Sequence, residues 1–324
     1  MTLFSLAELE AAAALVHAVM PPTPQYAWPL LRKRTGVDVW VKHENHTPTG
    51  AFKVRGGIVY MEMLRRKHPD VTGVISATRG NHGQSIAAAA ARAGIKAVIV
   101  VPEGNSVEKN AAMRAFGAEL ITHGSDFDAA KAHAAELATT RKLHFVPSFD
   151  ISLVLGVATY ALELFRAAPR LARVYVPIGL GSGICGVITV RDLLGLDTEI
   201  VGVVADAAPA YALSLEAGEV VSTNSAATFA DGMAVRVPSS EALAIIRQGV
   251  KKIVRLSEEE IADAIRFYYA DTHNLAEGAG AAALAGLVRD RAELQGSAAG
   301  VILCGGNIDS GTFGQVLAGH TPRV

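Results

Sequence analysis

Short apolar runs alternate with longer stretches of helical period along most of the chain. Val37-Asp38-Val39-Trp40-Val41-Lys42 alternates apolar and polar positions and is rich in β-branched residues, which predicts a strand. Residues 54–67 predict a helix and Val71 to Ser76 a strand, and the alanine run 87–91 continues a helix that starts near His82. Lys96 to Val101 is a continuous apolar strand closed by Pro102. A helix over 106–116, a strand from Ala118 to Thr122 and a helix over 126–140 follow. The rhythm then repeats: a helix over 152–166, a strand from Ala172 to Pro177, a glycine loop at 179–183, and strands from Ile200 to Ala205 and from Ala299 to Leu303. Such alternation means parallel strands covered by helices on both faces. The expected fold is α/β, with two lobes of parallel-rich sheets flanked by helices and a cleft between them. Crossings near 48 and 147 divide the chain into a large domain, 1–48 and 147–324, and a small domain, 49–146, inserted in it. Ligands of such sheets sit beyond the carboxyl ends of the strands, where the glycine loops fall.

Composition narrows the class. The chain has 324 residues, half of them hydrophobic and 19% charged, enough for a large core without staples. Its net charge of −1 removes the electrostatic case for nucleic acid or an anionic membrane as partner. Two cysteines are too few for a disulfide framework and fit a reducing compartment. Residues 1–20 are alanine-rich, but no lysine or arginine precedes Arg32, so a surface or docking helix is expected rather than a signal peptide. No apolar run approaches the roughly 18 residues needed to span a bilayer. A cytoplasmic protein is expected.

Four segments concentrate residues able to do chemistry. Pro177-Ile178-Gly179-Leu180-Gly181-Ser182-Gly183-Ile184-Cys185-Gly186 follows a strand and opens a helix. Glycines let backbone N–H groups converge and the helix start adds partial positive charge, so a phosphate is the natural guest. The segment lacks Gly-Lys-Ser/Thr and is not an ATP-type loop; a plain strand-to-helix turn would carry the same pattern. Asp206, at the end of the next strand, keeps a nicotinamide-dinucleotide reading open. In His46-Thr47-Pro48-Thr49-Gly50-Ala51-Phe52-Lys53-Val54-Arg55-Gly56-Gly57, Lys53 stands at a helix start. The macrodipole there disfavours a cation and favours the free amine that a Schiff base needs; the alternative is a solvated turn lysine. Ser76-Ala77-Thr78-Arg79-Gly80-Asn81-His82-Gly83-Gln84-Ser85 crowds donors into a strand-to-helix turn. It can hold a carboxylate, or Asn81 or Thr78 can simply cap the helix. In Leu303-Cys304-Gly305-Gly306-Asn307, two glycines behind a thiol admit a flat ligand, while a lone cysteine also packs as a small hydrophobe.

In this order and spacing the four segments resemble the fold-type II pyridoxal-phosphate enzymes, the tryptophan synthase β-like fold, and within them the serine/threonine dehydratases. The resemblance runs over nearly the whole chain. It implies pyridoxal 5'-phosphate as cofactor, with Lys53 as the Schiff-base lysine and the base that takes the substrate's α-proton. It implies that Phe52 packs beside the ring, that Gly179, Leu180, Gly181, Ser182 and Gly183 form the phosphate cup, and that Asn81 bonds the cofactor's phenolic oxygen. Thr78, Gly80, Asn81 and His82 would clamp the substrate carboxylate, Gly232 would line the pocket, and Glu277 matches a segment common in the family. Cys304 would face the pyridine nitrogen. A neutral group there leaves less charge delocalised into the ring than an aspartate would, which favours expulsion of a β-leaving group. The implied reaction is β-elimination of water from L-threonine or L-serine, giving a 2-oxo acid and ammonia, by a homodimer whose partner is a small amino acid.

Departures from the family pattern set further expectations. Arg79 stands where a small residue is usual; facing solvent it does nothing, and facing the pocket it could pair with a second substrate carboxylate, as in 3-hydroxyaspartate. The turn's wording also resembles phenylserine and hydroxyectoine-utilisation dehydratases, and racemases share the fold. Val204 and Ala210 occupy the places of acidic ligands in metal-dependent relatives, so no metal is expected. The sequence closes soon after Asn307, so feedback control through a regulatory domain is not expected. The competing class, a dinucleotide-dependent oxidoreductase using Gly179–Gly183 and Asp206, leaves Lys53 and Cys304 unexplained.

Overall fold

The apolar runs of the sequence become the buried strands of two sheets. The computed structural model describes residues 3–323. Its strands are β1 (Gln25–Ala27), β2 (Asp38–His43), β3 (Gly73–Ala77), β4 (Lys96–Val101), β5 (Glu119–Thr122), β6 (His144–Phe145), β7 (Arg173–Pro177), β8 (Glu199–Ala205), β9 (Val250–Leu256) and β10 (Ala298–Leu303). One sheet has six strands in the order β1-β2-β10-β7-β8-β9, the other four in the order β5-β4-β3-β6. Every pairing is parallel except β1 with β2. Strands β3 and β7 are buried throughout, as expected where helices cover both faces.

The helices follow the same logic. Leu6–His17 starts with a capping box between Ser5 and Glu8 and buries Leu9, Ala12, Ala13 and Val16, so the N-terminal segment is a docked helix. Lys53–Lys67 and Ile151–Ala167 pack backbone to backbone: a Cβ on Gly156 would come within 2.3 Å of the Arg55 carbonyl oxygen. Between these helices and β2 lies a buried charge cluster. Arg55 and Glu44 are fully buried, Arg55 Nε donates to Glu44 at 2.7 Å and Nη1 to Glu163 at 2.6 Å, and Lys42 Nζ donates to Glu163 at 2.6 Å. Two cations and two carboxylates thus compensate one another where water cannot.

The hydrophobic pattern predicts no element between Ala205 and Ala299, yet β9 and the helices Ala210–Ala217, Ser240–Gly249, Glu258–Thr272 and Gly278–Asp290 fill it. The Gly278–Asp290 helix is buried almost all round and carries no polar stripe to betray its period. No helix among the described residues is long and apolar enough to cross a membrane.

Candidate active site

The chain before Lys53 is held by the segment after β10. The Phe52 N–H donates to the Cys304 carbonyl at 2.9 Å, the Gly306 N–H donates to the Gly50 carbonyl at 2.9 Å, and Ala51 bridges Gly305. Thr47 Oγ1 accepts from the Ala51 N–H at 2.9 Å and tightens the turn. Lys53, the first residue of its helix, is thereby placed beside Cys304. Its Nζ lies 3.5 Å from Ser182 Oγ and 5.0 Å from the centroid of the Phe52 ring. Burial lowers the Lys53 pKa to about 8, against the opposing pull of Cys304 and Glu277. Removal from water thus lowers the amine's basicity in the direction expected from the helix start, and the solvated-turn alternative falls.

The glycine loop ends β7 and opens the helix Ser182–Leu193. Gly181 caps it at φ +101°, a backbone conformation that side chains rarely adopt. Gly179 has no room for a Cβ, which would sit 2.4 Å from the Gly232 carbonyl oxygen. Two phenols take up carbonyls behind the loop: Tyr211 donates to Leu180 at 2.9 Å and Tyr160 to Gly183 at 3.1 Å. The Tyr160 ring meets Phe52 edge-on at 6.1 Å, tying the loop to the lysine segment. The first N–H groups of the helix have no carbonyl to bond within it and remain available to an anion.

The third wall is the turn after β3. Thr78 Oγ1 accepts from the N–H groups of Gly80 at 3.0 Å and Gly83 at 3.2 Å, so of the two suggested caps it is Thr78 that organises the helix start. Asn81 looks across the cleft: its Nδ2 donates to Glu277 Oε1 at 2.6 Å, and its Oδ1 accepts from Asn307 Nδ2 at 2.8 Å. The His82 imidazole turns back to Ser76 Oγ at 3.1 Å, and burial lowers its pKa to about 3. The ring is therefore neutral, with one of its nitrogens engaged by Ser76. Arg79 is exposed at the rim.

These walls enclose one cavity of about 770 Å³. The residues that the family resemblance assigns to cofactor and substrate line it: Phe52 and Lys53, Thr78, Gly80, Asn81 and His82, Gly179 through Gly183, and Gly232, Glu277 and Cys304, with Arg79 beside them. Asp206 does not; it leaves β8 on the surface and pairs with Arg255 at 2.6 Å, which removes the residue on which the dinucleotide reading depended. Cys304 is 5% exposed, and burial, then Glu277, pushes its thiol well above the usual range, so it is neutral. Burial also pushes Glu277 up to about 7, and its Oε2 is buried without a hydrogen-bond partner. Val204 and Ala210 are buried apolar residues, and the described residues hold no group of three or more His, Cys, Asp or Glu placed to bind a metal.

Sequence reasoning missed several lining residues. Lys109 donates to Asp231 at 2.6 Å, and Arg236 pairs with Asp126 and Asp128 at the mouth. Each pair joins residues more than 100 positions apart, so no local spacing announces it.

The model of the pyridoxal-phosphate dependent enzyme family matches residues 18–305. Over 88% of its length the chain is 38% identical to the L-threonine ammonia-lyase of Geobacter sulfurreducens, of which it spans 71%. It is 32% identical over 92% of its length to the biosynthetic L-threonine dehydratase of Pasteurella multocida, of which it spans 58%, little more than half. The structure superposes on the processed threonine deaminase isoform 2 of Solanum lycopersicum with a TM-score of 0.88 and 30% identity, covering 97% of this chain and 94% of that one.

Proposed function

Because the chain belongs to the family of pyridoxal-phosphate dependent enzymes, we propose that it is an ammonia-lyase that removes water from a β-hydroxy amino acid, L-threonine or L-serine, leaving a 2-oxo acid and ammonia. The residues present fit the cofactor. Lys53 offers a weakly basic amine, the Gly179–Gly183 turn offers a cradle that a Cβ at Gly179 would fill, and Cys304 and Glu277 put polar side chains on the cavity wall. When bound, pyridoxal phosphate supplies an aldehyde for an amine and a ring that spreads the electrons released at the substrate's α-carbon.

The chain's own residues do the rest. The N–H groups and hydroxyl of the Gly179–Gly183 turn hold the phosphate. The Thr78–His82 turn receives the substrate carboxylate on backbone donors, which orients the Cα–H bond toward Lys53. The Lys53 amine takes the α-proton, and its lowered pKa matches that task near neutral pH. Cys304, a neutral thiol, puts no negative charge beside the ring, which favours departure of the β-hydroxyl over return of the proton. The proton held on Lys53 goes to the departing hydroxyl, which leaves as water, and the released enamine takes up a water to give the 2-oxo acid and ammonia.

The observation that carries this reading is the pinning of residues 50–52 to 304–306, which sets a weakly basic amine and a neutral thiol side by side at the glycine turn. The experiment is to load the purified chain with pyridoxal phosphate, add L-threonine or L-serine, and measure 2-oxo acid and ammonia. Equal amounts of both, abolished in Lys53→Ala together with the visible band of the bound cofactor, support the reading; a loaded enzyme that yields neither product overturns it. We also propose a homodimer in the cytoplasm. The two free, buried thiols fit a reducing compartment, and sedimentation tests the dimer.

A further inference from the structure

The two lobes are joined by the first turn of the helix Val107–Ala115, whose Lys109 lines the cavity. The capping Ser106 hydroxyl donates to Asp309, and Glu108 accepts from the Ser310 N–H at 3.0 Å and from its hydroxyl at 2.6 Å. Lys109 Nζ donates to Asp231 at 2.6 Å and lies 3.7 Å from Glu277 Oε2. Of these three links only the last is anchored by a buried side chain on the small-lobe side, for Lys109 is 7% exposed while Glu108 is exposed. Burial works against the Lys109 charge, but Asp231 and Glu277 more than offset it and raise its pKa, so the ammonium is fully charged.

The position of this cation gives it a task. Its stem lies against the carboxylate-binding turn: a Cβ built on Gly80 would sit 2.6 Å from Lys109 Cδ. Its acceptor Asp231 immediately precedes Gly232, whose carbonyl closes over Gly179 of the glycine loop. Glu277, on its other side, accepts from Asn81 of the same turn. One side chain therefore touches both walls between which a substrate must fit.

We propose that Lys109 is a positioning residue: its stem beneath Gly80 and its ammonium between Asp231 and Glu277 set the height of the Thr78–His82 turn relative to the glycine loop, and hence where the substrate carboxylate is received. The proposal rests on the lyase reading above. It assigns Lys109 no contact with the reacting atoms. Loss of the charge leaves the turn free to drift from the loop while Lys53 and the cofactor cradle stay in place, so substrate binding suffers and the chemical step does not.

The test uses the full chain loaded with pyridoxal phosphate, with Lys109→Met, which keeps the stem, and Lys109→Arg, which keeps the charge. For Lys109→Met the visible band stays, KM for threonine rises about tenfold or more, and kcat changes less than about threefold. Amide exchange over residues 78–84 quickens about tenfold, while Lys109→Arg stays close to wild type in KM. Asp231→Asn breaks the same link from the other wall and reproduces the rise in KM should Lys109→Met fold poorly. Unchanged exchange over 78–84, or loss of kcat and band with KM unmoved, overturns the proposal. A wild-type chain that shows the band but makes no 2-oxo acid overturns the lyase reading instead, and the exchange result alone then decides the role of Lys109.

Discussion

Lys53 Nζ lies 3.5 Å from the hydroxyl of Ser182, the residue that opens the helix behind the glycine loop. The amine and the anion-binding turn lie 129 positions apart in the sequence, and the contact exists because Phe52 is bonded to Cys304 on one side and packed on Tyr160 on the other. Schiff-base chemistry needs the free amine, and burial holds the Lys53 pKa at about 8 instead of the ordinary 10.5. The rate at which cofactor-free enzyme takes up pyridoxal phosphate should rise with pH and level off just above 8. Stopped-flow absorbance checks this; a rate still climbing toward 10.5 means that the amine is solvated.

Gly179 faces the Gly232 carbonyl so closely that a methyl group would sit 2.4 Å from it. Gly179→Ala must therefore move one wall of the cup away from the phosphate. We expect cofactor affinity to fall about tenfold or more, a loss of roughly 1.4 kcal/mol, with the far-ultraviolet circular dichroism unchanged. Titration of the cofactor-free protein measures it, and an unaltered dissociation constant would remove Gly179 from the cup.

Much of the fold is legible in the sequence because its strands are buried on both faces. Lys96 to Val101 needs no partner to be read as a strand, and the structure gives it those limits. The strand Val250–Leu256 is different: it lies at the sheet edge, and Lys251, Lys252 and Arg255 hide its alternation. The site residues were legible by type, and the glycine loop, the lysine and the thiol meet in one cavity. Their orientation was not. His82 falls in the right turn, yet its ring serves Ser76, and nothing in the local spacing says so. The pairs Lys109–Asp231 and Asn81–Asn307 are products of the folded chain alone.

Cys304 tests how a neutral neighbour steers the chemistry. Cys304→Ser keeps a neutral hydroxyl and should retain elimination within about tenfold of wild type, as a swap between uncharged groups of like size. Cys304→Asp puts a carboxylate at a site with 5% exposure, where it holds a proton on the ring nitrogen and strengthens the electron sink. Elimination should then fall by about two orders of magnitude, with α-proton exchange persisting. Deuterium incorporation from heavy water, set against 2-oxo acid release, gives the partition. If the aspartate variant eliminates as well as wild type, the thiol has no part in reaction choice.

Arg79 lines the cavity at its rim, is exposed, and makes no ion pair or side-chain hydrogen bond among the described residues. A guanidinium in that state breaks no protein contact when it engages a second carboxylate. We expect threo-3-hydroxyaspartate to be a substrate beside threonine and serine, and Arg79→Ala to lower kcat/KM for it about tenfold while leaving threonine within about twofold. Side-by-side kinetics on the three amino acids decide it, and an Arg79→Ala enzyme with unchanged preference ends the idea.

The buried cluster beneath the lysine helix makes a prediction about acid stability. Burial alone would raise the Glu163 pKa, but Arg55 and Lys42 outweigh it and hold the group at about 2, below its ordinary 4.5. A carboxylate depressed in this way stabilises the fold fully above 4.5, and the contribution drains away as pH falls from there toward 2. Urea midpoints should therefore drop over that interval in wild type and drop less in Glu163→Gln, which has no proton to gain. At neutral pH Arg55→Met should cost about 3–5 kcal/mol, because it takes the guanidinium from the fully buried Glu44 and leaves Lys42 to face Glu163 without it. Were Arg55→Met to unfold at the wild-type urea concentration, the cluster would add nothing to stability beyond its packing.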